Sequence, residues 1–260
     1  NAAIWVGPSR LDFHQGDMSE ATPILEPGCK PGPHTPPEIR LNFVTKVYGI
    51  VFTMLTVTFG ITAPFVFEQD ATKEWLKENP WVVIAAFIFL LVQHVLHMCM
   101  AMEQCCGGSA ISEAYIKMFV TVPWNYLYLM VYAACMGVVV GIICTAYKAA
   151  SVCLVFGITA FLIVGLTAYA YYTKADFTGC GGYIFVALLA LMCMSFVGIF
   201  FPIGSIFHRI IAGFGAMLFG FIIVYDTQLI FGEASAGGEK QCQYTIDMYA
   251  FAAFELYLDF

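Results

Sequence analysis

Six long runs of apolar residues constrain the fold of this chain more than any other feature of its sequence. Each is about 20 residues long, which is the length that a helix rising 1.5 Å per residue needs to cross the roughly 30 Å hydrocarbon core of a bilayer. Backbone N–H and C=O groups find no water in lipid, and the runs do not alternate with period two, so they predict helices rather than a barrel. The runs cover residues 47–67, 81–102, 124–147, 149–172, 183–203 and 210–231.

A seventh, shorter apolar run covers residues 248–260. Because the chain begins at Asn1 and ends inside this run, we expect a processed, truncated or partly resolved chain whose seventh helix is incomplete at the C-terminus. With 60% hydrophobic and 11% charged residues, the chain is too apolar for a water-soluble domain. We predict an all-α polytopic membrane protein, with residues 44–260 forming a seven-helix transmembrane bundle.

The segment before the first run, residues 1–43, has a different composition. Its stretch "EPGCKPGPHTPPEIR" is rich in Pro and Gly, which disfavour helix, and predicts a flexible Pro-rich arm. Positive charges near the ends of the runs divide almost evenly between the two sides, and Arg10 and Lys30 add a small preference for a cytosolic N-terminus. The net charge of −7, without a basic patch, gives no indication of a nucleic-acid partner.

Carboxylates inside the apolar runs are the candidate functional residues. A charge at the bilayer centre costs at least about 2.5–3.5 kcal/mol, so each one requires a reason. Asp226 lies in the sixth run, within "GFIIVYDTQLIFG", and Glu255 and Asp259 lie in the seventh. Since residues four apart share a helix face, Glu255 and Asp259 are expected to point together into the bundle, where Asp226 on the neighbouring helix could meet them.

Two interpretations of Asp226 follow from the residues. It could hydrogen-bond near the membrane interface, or it could form an ion or proton site with the facing carboxylates. His94 and His97 in the second run have a spacing that also suits a metal, but no third ligand accompanies them, so hydrogen bonds between helices are the expectation. No Gly-x-Ser-x-Gly motif accompanies Ser195, and we expect no enzymatic activity.

Several ordered segments of the chain resemble the transmembrane Bax inhibitor motif family, especially its Lifeguard branch. They are "RLNFVTKVYGIVFTMLTVTFGI" (residues 40–61), "VPWNYLYL" (122–129), "AYYTKADFTGCGGYIF" (170–185), "VYDTQLIFG" (224–232) and "YAFAAFELYLDF" (249–260). They occur in the family's order, and the resemblance extends over about residues 40–260.

The resemblance implies a bundle whose helices surround a central seventh helix, and a calcium leak whose opening depends on pH. It also implies that Asp226 and Asp259, the aspartates of the "YDTQ" and "LYLD" segments, form the gating pair and the oxygen ligands for calcium. Expected partners are the lipid bilayer and calcium ions, with other membrane proteins of a larger complex as a further class. The expected location is an endomembrane, the endoplasmic reticulum or Golgi, with the mitochondrial inner membrane as the alternative, and no cofactor is expected.

The chain departs from the family pattern in two places. Glu255 stands where the family usually has Asn, and it adds a third carboxylate beside the pair. The connection "AMEQCCGGSAISEAY" (101–115) lacks the basic cluster expected between the second and third membrane helices. The competing hypothesis is therefore a structural or assembly subunit of a larger membrane complex that does not transport ions.

Overall fold

The computed structural model describes residues 37–106, 110–200, 204–232 and 244–260, and every regular element in these ranges is helical. Short 3₁₀ helices, Thr178–Cys180 and Ile246–Met248, precede the seventh and ninth of the α-helices. The α-helices are α1 (Pro37–Phe67), α2 (Gln69–Glu78), α3 (Pro80–Cys106), α4 (Ala110–Val120), α5 (Trp124–Cys144), α6 (Ala149–Tyr172), α7 (Gly181–Phe200), α8 (Ser205–Phe231) and α9 (Tyr249–Leu258).

Six of the described helices, α1, α3 and α5 to α8, are long and apolar enough to cross a membrane. They correspond in order to the six predicted runs, and α6 begins and ends at the predicted residues. The all-α membrane fold is thereby confirmed. The predicted count of seven is not, because α9 has 10 residues and is too short to be a span by length.

The connections hold more helix than the sequence predicts. Two helices that were not predicted, α2 and α4, occupy the intervals after the first and second spans. The predicted arm also ends too late, because residues 37–43 belong to α1 and Phe43 is buried. Proline is tolerated in the first helical turn, so Pro37 can begin the helix. The remainder of the predicted arm, residues 1–36, lies outside the described part of the chain.

The ninth helix occupies the interior of the bundle. Ala250 to Phe254, together with Leu256 and Tyr257, are all buried, and α9 contacts α1, α4, α5 and α8. Rings from neighbouring helices pack around Phe254, including Phe119 at 5.2 Å and Tyr132 at 4.9 Å between ring centroids. A short helix that is apolar on nearly every face is thus enclosed by longer ones.

The tightest helix pair is α1 with α5. A Cβ placed on Gly141 would lie 2.7 Å from the ring of Phe65, and one on Gly137 would lie 2.9 Å from the Cβ of Ile61. Only glycine permits this separation of the two backbones, as the small-residue spacing in "GVVVG" predicts. The hydroxyl of Thr62 donates to the carbonyl of Gly137 over 3.0 Å, which adds a polar contact to the same seam.

The helices α6, α7 and α8 form a second layer, in which α6 and α7 both pack on α8. The small-residue spacing in "GFGAMLFG" (residues 213–220) also predicts close helix packing. Gly220 meets this expectation, because it lies close to Leu166 of α6, whereas Gly213 faces open space. Much of the apolar surface of α6 and α7 is exposed, for example Phe161 and Phe185. An apolar exterior of this kind fits contact with lipid chains.

Candidate proton and ion site

The three candidate carboxylates lie in the region where α8 contacts α9. Asp226 lies five residues before the end of α8, Glu255 lies on α9, and Asp259 follows the last turn of α9 with helical backbone angles (φ −77°, ψ −20°). The side chains of Asp226 and Asp259 lie within hydrogen-bonding reach of each other. The structure therefore brings together the two aspartates that the sequence placed on neighbouring helices.

A hydrogen bond between two carboxyl groups requires a proton on one of them, because ionised carboxylates have acceptors and no donor. A pair joined by such a bond carries at most one negative charge. The Oδ2 atom of Asp259 is buried and has no hydrogen-bond partner among the described residues. This atom can therefore be satisfied by a proton shared with Asp226, by a water molecule or by a cation.

Glu255 is held apart from the pair by a tyrosine. The hydroxyl of Tyr244 donates a short hydrogen bond to Oε2 of Glu255, and Tyr244 is 1% exposed. Burial raises the pKa of the Tyr244 phenol well above its ordinary value, and the nearby charges of Glu255 and Asp226 raise it further. The phenol therefore remains a hydrogen-bond donor throughout the range in which the carboxyls titrate.

Glu255 and Asp226 are also close enough to interact electrostatically. Tyr225 of α8 and Tyr115 of α4 also lie near Glu255. Among the residues that the structure describes, no Lys or Arg side chain forms an ion pair with any of the three carboxyls. The site is thus an acidic cluster without a described basic counter-charge.

The residues beside Asp226 fix the position of α8. Thr227 accepts a hydrogen bond of 3.4 Å from the hydroxyl of Tyr48 on α1. Gln228 is fully buried, accepts from the backbone N–H of Phe177 over 2.8 Å and donates to the carbonyl of Ala175 over 3.0 Å. Thr227 therefore attaches α8 to α1, and Gln228 attaches it to the segment that follows α6.

The described residues contain no group of three or more His, Cys, Asp and Glu side chains arranged to hold a metal ion. Asp226 and Asp259 offer carboxylate oxygens, the ligands that calcium prefers, but on their own they make a partial coordination shell. The pair can share a proton, and it offers a calcium ion only part of the ligands that such an ion takes.

The histidines of α3 do not form the helix-to-helix hydrogen bonds that we expected. The Nδ1 atom of His94 lies 2.8 Å from the carbonyl of Leu90 in its own helix. The Nδ1 atom of His97 is buried without a hydrogen-bond partner among the described residues, and its ring packs on Phe251 and Phe254. The polar contacts that do cross between helices here belong to Gln93, whose amide hydrogen-bonds with the hydroxyls of Tyr115 and Tyr128.

Sequence reasoning missed two residues of the site, Tyr244 and Gln228. Tyr244 precedes α9 in a polar connection, where nothing in the pattern marks a residue that reaches Glu255. Gln228 carries a signal in hindsight, because a carboxamide in an apolar span needs several hydrogen-bond partners.

These features define a class: a multi-pass helical membrane protein with a protonatable carboxyl pair beside its innermost helix. The family model described as "Inhibitor of apoptosis-promoting Bax1" matches residues 40–260. The chain therefore belongs to this family, the Bax inhibitor-1 family.

Individual relatives agree with the family assignment. The chain is 29% identical to Protein lifeguard 3 of Mus musculus over 222 residues, which are 83% of this chain and 66% of that protein. It is 28% identical to the Homo sapiens Protein lifeguard 3 over 205 residues, 78% of this chain and 61% of that protein. It is 28% identical to Bax inhibitor 1 of Schizosaccharomyces pombe over 222 residues, 85% of this chain and 73% of that protein. The chain thus spans slightly less than two thirds of the two lifeguard proteins.

Proposed function

We propose that this protein is a pH-sensitive calcium leak of an intracellular membrane, gated by a latch made of Asp226 and Asp259. The endoplasmic reticulum or Golgi is the proposed location, and suppression of cell death is the proposed physiological consequence. The close approach of the two buried aspartates, within hydrogen-bonding reach of each other, is the observation that carries the proposal. Membership in the Bax inhibitor-1 family supports the link to cell death.

The latch acts through a single proton. While one carboxyl is protonated, the hydrogen bond holds α8 against α9. Loss of that proton leaves two negative charges in contact inside a medium of low dielectric constant, and their repulsion drives the helices apart. The anionic oxygens so produced are ligands that calcium accepts, so protons and calcium compete for the same two residues.

Glu255 modulates the latch without being part of it. Its carboxyl bonds to Tyr244 and not to either aspartate, but it lies near enough to Asp226 to repel an ionised pair. A negative charge on Glu255 therefore favours retention of the proton on the aspartates, and the three carboxyls titrate as one coupled group.

Calcium flux from liposomes tests the proposal directly. The purified protein is reconstituted into calcium-loaded vesicles with a calcium indicator in the outside buffer, and flux is measured at two pH values. Faster flux at the higher pH is expected. Absence of calcium flux at every pH would refute the channel function, whereas a pH-independent flux would refute only the latch.

A non-transporting structural or assembly subunit is the second candidate. The acidic cluster has no described basic counter-charge, and α6 and α7 present broad apolar faces that another membrane protein could cover. On this hypothesis the carboxyls stay locked by hydrogen bonds and the vesicles pass no calcium. Co-purification of a stoichiometric membrane partner after mild detergent extraction, lost on replacing Phe161 and Phe185 by smaller residues, would support it.

A further inference from the structure

The helix α2 is the most exposed element of the described chain. It has 10 residues, none of them buried, and single residues, Glu68 and Asn79, join it to α1 and α3. Because α1 and α3 are both long enough to cross the membrane, the short helix between them is confined to the membrane surface. Its surroundings are therefore set by the bilayer rather than by bulk water.

The two faces of α2 differ sharply in polarity. At 100° per residue, one half of the helix circumference is wholly polar and the other half is apolar except for one threonine. The polar half consists of Gln69, Asp70, Lys73, Glu74, Lys77 and Glu78, and the other half of Ala71, Thr72, Trp75 and Leu76. This separation is the pattern of a helix that lies flat in an interface.

The protein covers only part of the apolar half. Thr72 and Leu76 are partly buried, whereas Trp75 is 47% exposed. A tryptophan ring with an apolar body and one N–H donor is suited to the boundary between headgroups and acyl chains. Trp81, at the start of α3, is 66% exposed at the same end of the bundle.

Hydrogen bonds hold α2 in this orientation. The hydroxyl of Thr72 donates to the carbonyl of Pro64 over 3.1 Å, and Gln69 donates to the carbonyl of Tyr147 over 2.9 Å. The helix is thus attached to the end of α1 and to the turn between α5 and α6. Tyr147 in that turn is 61% exposed and adds a third ring to this end of the molecule.

We propose that α2 lies in the headgroup layer of the bilayer, with Trp75 inserted as an anchor and the charged half facing water. The exposed apolar surface beside it continues along the adjoining spans, where Phe67 is 65% and Ile84 is 57% exposed, which favours lipid over a protein partner. The polar half carries three acidic and two basic residues, so it has no excess positive charge to select anionic lipids. The partner is the zwitterionic headgroup, phosphatidylcholine being the simplest example.

Single-tryptophan variants in phosphatidylcholine vesicles test this assignment. One variant keeps Trp75 (Trp5→Phe, Trp81→Phe, Trp124→Phe), and a reference variant keeps Trp81 at the start of the α3 span. Nitroxide on the lipid near the headgroup should quench Trp75 several-fold more than nitroxide near the end of the acyl chain. Aqueous iodide should quench it several-fold less than it quenches free N-acetyltryptophanamide, and raising the ionic strength should change neither result.

Three outcomes would overturn the proposal. Strong iodide quenching without nitroxide quenching would place Trp75 in water. Protection of Trp75 from both quenchers would indicate that a second copy of this chain or another protein covers it. Protection that weakens as the protein is diluted in the vesicles would indicate a second copy, and protection that does not would indicate another protein. Loss of nitroxide quenching at high salt would show that charge, not the apolar face, holds the helix. As a control on folding, hydrogen exchange in residues 69–78 should quicken at least tenfold for Trp75→Ser and remain unchanged for Lys73→Ser on the polar half.

Discussion

Replacing one aspartate of the carboxyl pair by asparagine should abolish the pH dependence of calcium flux. In Asp259→Asn the amide N–H₂ donates to an ionised Asp226, so the hydrogen bond forms without a proton from solution. The change keeps the shape of the side chain nearly constant. The contact between α8 and α9 is therefore expected to persist while its link to pH is lost.

The size of the effect follows from the contact between the two aspartates. Two unit charges about 4 Å apart repel by about 4 kcal/mol at an effective dielectric constant of about 20. At about 1.4 kcal/mol per factor of ten, this disfavours the doubly ionised closed pair by roughly a thousandfold. A closed state with both aspartates ionised is thus scarcely populated, and opening is linked to release of one proton.

The sign of the pH dependence follows from proton counting. The closed pair holds a proton that the separated aspartates release, so the closed state is favoured at low pH and is lost as the pH rises. With one proton linked to opening, the open-to-closed ratio should rise by up to about tenfold per pH unit. For Asp226→Asn or Asp259→Asn the slope should fall close to zero.

Stopped-flow measurement of calcium flux from liposomes over several pH values gives the slopes. Glu255→Gln is the matched control, because it removes a neighbouring charge and leaves the pair intact. It should keep the slope of the unmodified protein and move the midpoint to lower pH, since less repulsion then opposes loss of the proton. If the double variant Asp226→Asn, Asp259→Asn conducts calcium with an unaltered pH profile, the latch is refuted. If the flux through the unmodified protein decreases as the pH rises, the linkage of opening to release of a proton is refuted.

Three further predictions concern the packing that supports the site. Gln228→Ala should lower the free energy of unfolding by about 2–4 kcal/mol, because buried partners in the 170–177 segment lose their hydrogen bonds. The control Gln69→Ala removes one exposed hydrogen bond and should lower it by less than about 1 kcal/mol. Thermal melts measure both losses, and equal losses would contradict the prediction. Gly141→Ala should lower the free energy of unfolding by about 1–3 kcal/mol, since the new Cβ would lie 2.7 Å from the ring of Phe65. In the control Gly157→Ala the new Cβ meets nothing within 4 Å, so this variant should be neutral or slightly stabilising. Cysteines introduced one at a time at residues 250–254 should resist labelling by bulky aqueous maleimides. Ready labelling on every face of the helix would show that α9 does not lie in the interior of the bundle.

Run length and composition were sufficient to predict most of the fold. The six spans follow from the cost of unpaired backbone groups in lipid, which leaves a run of about 20 apolar residues few alternatives. The start of α1 was predicted too late because the Pro-rich stretch was treated as uniformly non-helical, although Pro37 can occupy a first turn. Helix α2 was missed because its polarity pattern is shorter than the window in which such a period is evident.

The residues of the site that lie on one helix could be predicted from the sequence, but their contacts with other helices could not. The spacing of Glu255 and Asp259 determines that they share a helix face, and the cost of charge in lipid directs that face inward. Contact with Asp226 depends on the relative depth and rotation of α8 and α9, which sequence alone does not determine. The position of Tyr244 beside Glu255 depends on how the segment before α9 folds back, and no periodic pattern describes such a segment.

The arrangement of helices suggests why a repulsion between two side chains could move a large part of the molecule. Asp226 and Gln228 are about 200° apart around α8, so one faces α9 while the other holds the segment that follows α6. Helices α6 and α7 pack on α8, whereas α1, α5 and α9 pack on one another. A force that separates Asp226 from Asp259 therefore acts at the seam between two layers. Gln228 binds α8 to its own layer and the glycines of α5 permit close packing in the other, so opening has to break the contacts of α8 with α9 and α1, including the hydrogen bond between Tyr48 and Thr227.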